Sequence, residues 1–247
     1  MRRSGFKIRF ALIFSLLLAL FSCRLLTEHR AGETIIVFTF DDAHRSIFEH
    51  GLPILSEFGY RGTNYVNSGR IGNPSRMTWD QLRILEHEYG WETGGHTMNH
   101  EDLPELSFAE AESTIGDDWQ MLVTQGLNPR SFALPGGACP GDYYQILQRY
   151  YKYIRNSYDF AMHLPVNPLA LGYLPFQTGW TAAQIKDRIL RAIANREAIV
   201  IIGFHHIETP NAATYDNCPA ADLREIMRFV SDRGLRVLPL AEAMREL

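Results

Sequence analysis

From Glu33 onward, short apolar runs alternate with stretches whose apolar residues recur at helical spacing, and that alternation predicts an α/β domain. Residues 34–40 read as the first strand and 46–58 as the first helix. Further strands are expected at 62–66, 91–95, 131–134, 151–155, 198–204 and 236–239. Helices are expected at 78–89, with Thr78 as N-cap and Gly90 as stop, and at 108–122 behind the cap Ser107. Others follow at 143–150, 182–195, 221–233 and from 241 to the end. Residues 162–178 carry three prolines and predict an irregular loop with a short strand around Tyr173. No internal repeat interrupts the pattern.

The polar residues that close the apolar runs are not a random set. Asp41-Asp42 ends the first strand, His96 and His100 follow the third, Pro135-Gly136-Gly137 stops the fourth, and His205-His206 follows the run 198–204. All sit at the C-terminal ends of successive strands. In a barrel of parallel strands the catalytic loops converge on that face, whereas an open sheet binds ligand at one switch point. Residues drawn from strands along the whole chain fit closure better. The expected fold is a distorted (β/α) barrel of about seven parallel strands in a single domain, residues 33–247.

Two carboxylates at the end of a buried strand are costly unless they hold a cation or move protons. The pair at 41–42 offers one carboxylate for a metal and a neighbour free to take a proton from water. Alone, it would more often be a turn or a cap. Residues 96 and 100 are four apart, so a helical turn would point both imidazoles the same way. With one Asp they supply three ligands and leave a coordination position open. His205, on the same face, is a candidate general acid, while His206 alternates to the other side and reads as structural. The other histidines, His44 among them, read as solvated or locally bonded.

Composition narrows the partners. The chain has 247 residues, ample apolar content for a packed core, a formal charge of −4 and a pI near 6.1. Nothing in that balance marks a polyanion-binding surface, so nucleic acid is excluded as a partner. Arg2, Arg3, Lys7 and Arg9 precede an apolar stretch too short to span a bilayer, and residues 1–22 read as an export signal. Residues 20–23, Leu-Phe-Ser-Cys, resemble the bacterial lipobox, which would make Cys23 a lipidated end and 23–32 a polar tether. A cleaved soluble signal and an uncleaved anchor are the alternatives. The expectation is an exported protein held at the bacterial cell envelope through its N-terminal lipid. Cys139 and Cys218 would then meet an oxidising compartment, where a disulfide between them and two free thiols are equally good readings.

Thr39-Phe40-Asp41-Asp42, His96-Thr97-x-x-His100, the segment 132–137 (Phe-Ala-Leu-Pro-Gly-Gly) and Phe204-His205 occur in the order seen in the polysaccharide deacetylase family, carbohydrate esterase family four, which the chain resembles from about residue 33 to its end. The resemblance implies a divalent metal, usually Zn2+, with Co2+ or Ni2+ as substitutes. It makes Asp42, His96 and His100 the ligands, Asp41 the general base and His205 the general acid. The backbone N–H of Gly136, after Pro135, would help hold the oxyanion. It implies an acetylated glycan as substrate and removal of N-acetyl groups. An O-acetyl esterase on the same scaffold and a silent glycan-binding lipoprotein are the competing readings.

Two departures from the family pattern stand out. Many members carry an Arg two residues before the motif proline, paired with the base; here that residue is Ala133. Arg155, at the end of the next strand, is the candidate to supply the charge from another direction. The family's acid-plus-aromatic motif, which tunes the acidic histidine and lines the acetyl pocket, has only Asp159-Phe160 and Trp180 as candidates.

Overall fold

In the computed structural model, residues 33–208 and 216–247 are described. The expected signal segment, Cys23 and the tether lie outside the described residues. Seven strands build the main sheet: β1 (Ile35–Phe40), β2 (Thr63–Val66), β3 (Glu92–Gly95), β4 (Ser131–Ala133), β5 (Tyr153–Arg155), β6 (Leu174–Pro175) and β7 (Ile199–Phe204). They lie in the spatial order β5-β4-β3-β2-β1-β7-β6, and every pairing is parallel. β1 and β7 are buried at all positions and pair over their full length, from Ile35 opposite Ile199 to Phe40 opposite Phe204. Unbroken apolar runs of this kind suit strands covered on both faces. A two-stranded parallel pair, β8 (His206–Ile207) and β9 (Asn217–Cys218), extends beyond β7.

The crossovers are helical, as parallel strands require. They are α1 (Leu52–Glu57), entered through a π-helical turn Ile47–Gly51; α2 (Trp79–Arg83), continued by a π-helical turn Ile84–Glu88; α3 (Phe108–Thr124); α4 (Tyr144–Tyr150); α5 (Ala182–Ala194); α6 (Ala220–Asp232); and α7 (Leu240–Glu246). Three of them start on reciprocal capping boxes: Thr78 with Gln81, Ser107 with Glu110, and Thr181 with Gln184. Among the described residues no helix is long and apolar enough to cross a membrane.

Closure comes from one short segment. Leu171 bridges Arg155 of β5 in parallel, its N–H donating to Ile154 O at 2.9 Å. Three residues later, Leu174 pairs with Ile202 of β7. The stretch from 171 to 175 thus leans on both edges and curls the sheet into the distorted barrel that the sequence predicts. The expected strand at 236–239 is a correction: it survives only as a bridge from Val237 to Ile36. Pro239 ends it by capping α7, and β2 takes over pairing with β1 only at Thr39 and Phe40.

Strand parity decides what faces the barrel interior. Ile35, Val37, Tyr65, Ala133, Tyr173, Ile199 and Ile201 form one cluster inside, while Ile36, Phe38, Phe40, Val66, Val200 and Ile202 pack outward beneath the helices. Asp41 and His205 continue the inward parity of β1 and β7; Arg155 does so on β5. Cys139 and Cys218 are free thiols, which disposes of the disulfide reading. Cys218 is buried beside Leu223 and Ile226 of α6, whereas Cys139 packs at the edge of the separate α3–α4 cluster.

Candidate active site

A cavity of about 330 Å³ opens at the C-terminal ends of the strands, lined by Asp41, His96, His100, Arg155, Tyr173 and His205 with Leu134, Gly136 and Asp216 among its other walls. On one wall, donor atoms of Asp42, His96 and His100 all lie within 4.8 Å of one another. Asp42 Oδ1 is 3.9 Å from Nε2 of each histidine. That oxygen is buried and has no hydrogen-bond partner. Nδ1 of His96 lies 2.7 Å from the carbonyl of Ala133, so it carries the proton and Nε2 presents its lone pair to the cluster. Burial pushes the His96 pKa down to about 4, the two aspartates notwithstanding, which keeps the imidazole neutral as a ligand must be. An orphaned carboxylate oxygen facing two imidazole nitrogens fits a divalent cation, and this N/N/O set suits zinc.

The histidines do not meet on a helical turn. Residues 96–100 form an irregular loop in which Thr97 and His100 take positive φ values of 62° and 65°. Such a loop needs external support, because a non-glycine residue is strained there. The support comes from α3 and the segment after β2. Buried Asp118 accepts from the backbone N–H of His96 at 3.2 Å and of Ser68 at 2.9 Å, Thr114 Oγ1 accepts from Met98 N, and Asn67 donates to the carbonyls of His96 and Thr97. Burial raises the Asp118 carboxyl to about 7. Sequence spacing gave no hint of this scaffold.

Opposite the cluster stands Asp41. Arg155 Nη2 donates to its Oδ2 at 2.6 Å, both side chains being buried. Burial works to raise the Asp41 pKa, but Arg155, then His205 and His96, outweigh it and hold the carboxyl below its ordinary range. Arg155 lies directly in register with Ala133 on the neighbouring strand. The charge missing at 133 therefore enters from the next strand, into space the small side chain leaves. The guanidinium is sandwiched between Tyr173, 3.7 Å from its ring centre, and Tyr65, at 4.9 Å. Glycines make room for both rings: a Cβ at Gly203 would fall 1.8 Å from Tyr173, and one at Gly94 2.5 Å from Tyr65.

His205 Nε2 is 3.8 Å from Asp41 Oδ2, and its Nδ1 is 3.7 Å from Asp216 Oδ2. Asp216 is buried and was not legible in the sequence, since it follows the site strands without a motif of its own. Asp159 is elsewhere: Arg188 of α5 takes both of its oxygens at 2.8–3.0 Å and also pairs with Glu197. Trp180 packs edge-on against Phe176 in the outer core. Neither reaches the cavity, and Tyr173 and Leu134 form the wall instead. Pro135 is buried without lining it. Gly136 does line it, at φ 62°, where a Cβ would stand 3.0 Å from Asp102 Oδ1.

Residues 28–153, just over half of the chain, match the polysaccharide deacetylase family. YxkH of Bacillus subtilis, which carries a polysaccharide-deacetylase name, is 24% identical over 101 residues, or 41% of this chain and 36% of YxkH. The chain thus spans little more than a third of that relative's length. The Streptococcus pyogenes deacetylase PplD, solved with acetate, shares 26% identity and a TM-score of 0.52 over 55% of this chain and 62% of its own. A family 4 acetyl xylan esterase from Clostridium thermocellum, solved with cobalt, matches in fold with a TM-score of 0.62 at 17% identity, covering 86% of this chain and 91% of its own. On the family match, and with the barrel and the motif residues in place, the chain belongs to the polysaccharide deacetylase family.

Proposed function

We propose that this chain hydrolyses acetyl groups of an exported or envelope glycan, N-acetyl groups in the first place. Asp41 is the general base, His205 the general acid, and Asp42, His96 and His100 hold a divalent cation. One observation carries the reading: three donors, one of them an orphaned carboxylate oxygen, meet on the wall of a cavity that also holds an ionised Asp and a facing histidine. When bound, such a cation polarises an acyl carbonyl and lowers the pKa of water. Arg155 engages Asp41 Oδ2 and keeps the carboxylate charged, which leaves Oδ1 to accept a proton from the attacking water. Asp216 puts a carboxylate 3.7 Å behind Nδ1 of His205, a charge that favours the protonated ring, and Nε2 on the other side delivers a proton to the departing amine. Gly136 brings backbone to the cavity wall as the oxyanion contact.

The test is acetate release from peptidoglycan, chitin-like oligomers, poly-N-acetylglucosamine and acetylated xylan by zinc-loaded protein, with a chelated control. Release from an N-acetylated glycan that stops on chelation is the expected result. No release from any of the four, with metal bound, would favour a silent glycan binder. An O-acetyl esterase is separated by His205→Ala: an ester needs less leaving-group protonation than an amide, so its hydrolysis should suffer less. The lipobox-like segment supports membrane tethering through Cys23; lipid labelling lost in Cys23→Ser is the expected outcome.

A further inference from the structure

Asp42 and Ala43 occupy the left-handed region, at φ 68° and 50°, although neither is glycine. Consecutive strained residues persist only where their surroundings over-determine them. Here the surroundings are the segment at 75–77 and His44. Arg45 N donates to Ser75 O and Met77 N to Ala43 O, each at 2.9 Å, so the two segments pair on either side of Arg76. Arg76 Nη1 donates to the Asp42 carbonyl at 2.7 Å and lies 3.7 Å from Asp42 Oδ2. His44, itself buried, places Nε2 3.4 Å from the same oxygen, and Arg76 Nη1 is 3.1 Å from its Nδ1, so Nε2–H can face the carboxylate while Nδ1 accepts from the guanidinium. The ring of His206 lies over the ring of His44, centroids 3.6 Å apart.

The carboxylate of Asp42 is therefore divided between two tasks. Its Oδ2 is engaged by His44 and Arg76, while its Oδ1 has no partner and faces Nε2 of His96 and His100. We propose that His44 and Arg76 are positioning residues of the cation site: by gripping the outer oxygen and the backbone carbonyl of Asp42, they hold the inner oxygen toward the cation. The inference rests on the cation-site reading above and extends it to residues that do not line the cavity. His206 completes the support by packing on His44, so the dipeptide 205–206 serves the base on one side of the strand and the cation ligand on the other. Groups that orient a ligating side chain typically change metal affinity by about 10- to 100-fold when removed. Arg76 reaches carbonyl and carboxylate through one nitrogen, Nη1, so a lysine can supply the charge but not the planar guanidinium that lies against His44.

The experiment is zinc competition against a chromophoric chelator, using the full chain and His44→Ala, Arg76→Ala and Arg76→Lys. The unaltered chain should bind one zinc. Both alanine variants should bind at least about tenfold more weakly, with Arg76→Lys between, in line with loss of an outer-shell contact. Cobalt loading supplies a second readout: a shifted visible absorption spectrum in the folded variants reports an altered ligand, which a merely structural anchor would not produce. Where an alanine variant fails to fold, His44→Gln and Arg76→Lys carry the measurement. Folded variants that bind zinc within about threefold of the unaltered chain, with an unshifted cobalt spectrum, overturn the proposal. An unaltered chain that binds no zinc would instead overturn the cation-site reading beneath it.

Discussion

Two carboxylates at opposite ends of the barrel have been treated in opposite ways. Asp41, at the C-terminal end of β1, is held below its ordinary pKa; Glu92, at the start of β3, is pushed above it. Burial presses both upward. Glu92 accepts from Ala241 N at 2.6 Å, from Ser131 Oγ at 2.6 Å and from Thr63 Oγ1 at 3.3 Å, yet these neutral donors do not offset its desolvation. Asp41 has a single strong donor, but that donor is a guanidinium. The comparison separates two settings of a buried acid: beside a guanidinium it ionises more readily, and among neutral dipoles it ionises less readily and serves as a clasp for strands and a helix end.

The largest effect should come from the reactive end. Asp41→Asn should lower turnover by about 10²- to 10⁴-fold, the usual worth of a general base, while zinc stoichiometry holds at one. Full activity in that variant removes Asp41 from the mechanism. Arg155→Ala leaves Asp41 buried without its counter-charge and should cost about 3–5 kcal/mol of stability by chemical denaturation. It should also move the acid limb of the rate profile to higher pH, because the Asp41 pKa rises once the guanidinium is gone. An unmoved limb would mean that Arg155 only fills space.

Acid sharpens the contrast in the metal-free protein. His96 stays neutral to about pH 4 in the fold but protonates near 6.5 when unfolded. Its contribution is therefore present above about 6.5 and is lost as pH falls toward 4, a change of roughly 3 kcal/mol for that group. A melting temperature that does not fall across this window contradicts the burial of a neutral His96. Glu92 has the opposite sign: its raised pKa favours the fold at low pH, and that advantage disappears as pH rises through the folded value. Glu92→Gln should leave kcat unchanged and gain on the parent with rising pH, by no more than about 1 kcal/mol, the scale of one hydrogen bond. Equal offsets at pH 4 and pH 8 would count against it.

Much of this arrangement could be read in the chain because strand parity is short-range. Asp41, His205 and Arg155 extend the alternation of the strands that carry them, so their side and end of the barrel followed from pattern. Asp159 and Trp180 were misplaced because a motif position says nothing of competition: Arg188 captures the first and Phe176 the second. The turn expected at 96–100 was wrong in conformation though right in outcome, since Asp118 and Thr114 reach it from a helix that begins eight residues beyond His100. Arg76 meets Asp42 from 34 residues away, and neither His44, beside the aspartate pair, nor Asp216, beyond His205, stands at a spacing that marks it. Chemistry that depends on a third element lies outside what spacing encodes.

The segment from 171 to 175 has a consequence for how the protein would fail. The same five residues zip the first edge of the sheet to the last and supply the tyrosine ring beneath the Arg155 side chain. Fraying of that seam would release the guanidinium and leave Asp41 without its counter-charge while the rest of the barrel stood. Loss of function on warming should then run ahead of global melting, with the amides of Leu171 and Tyr173 exchanging early.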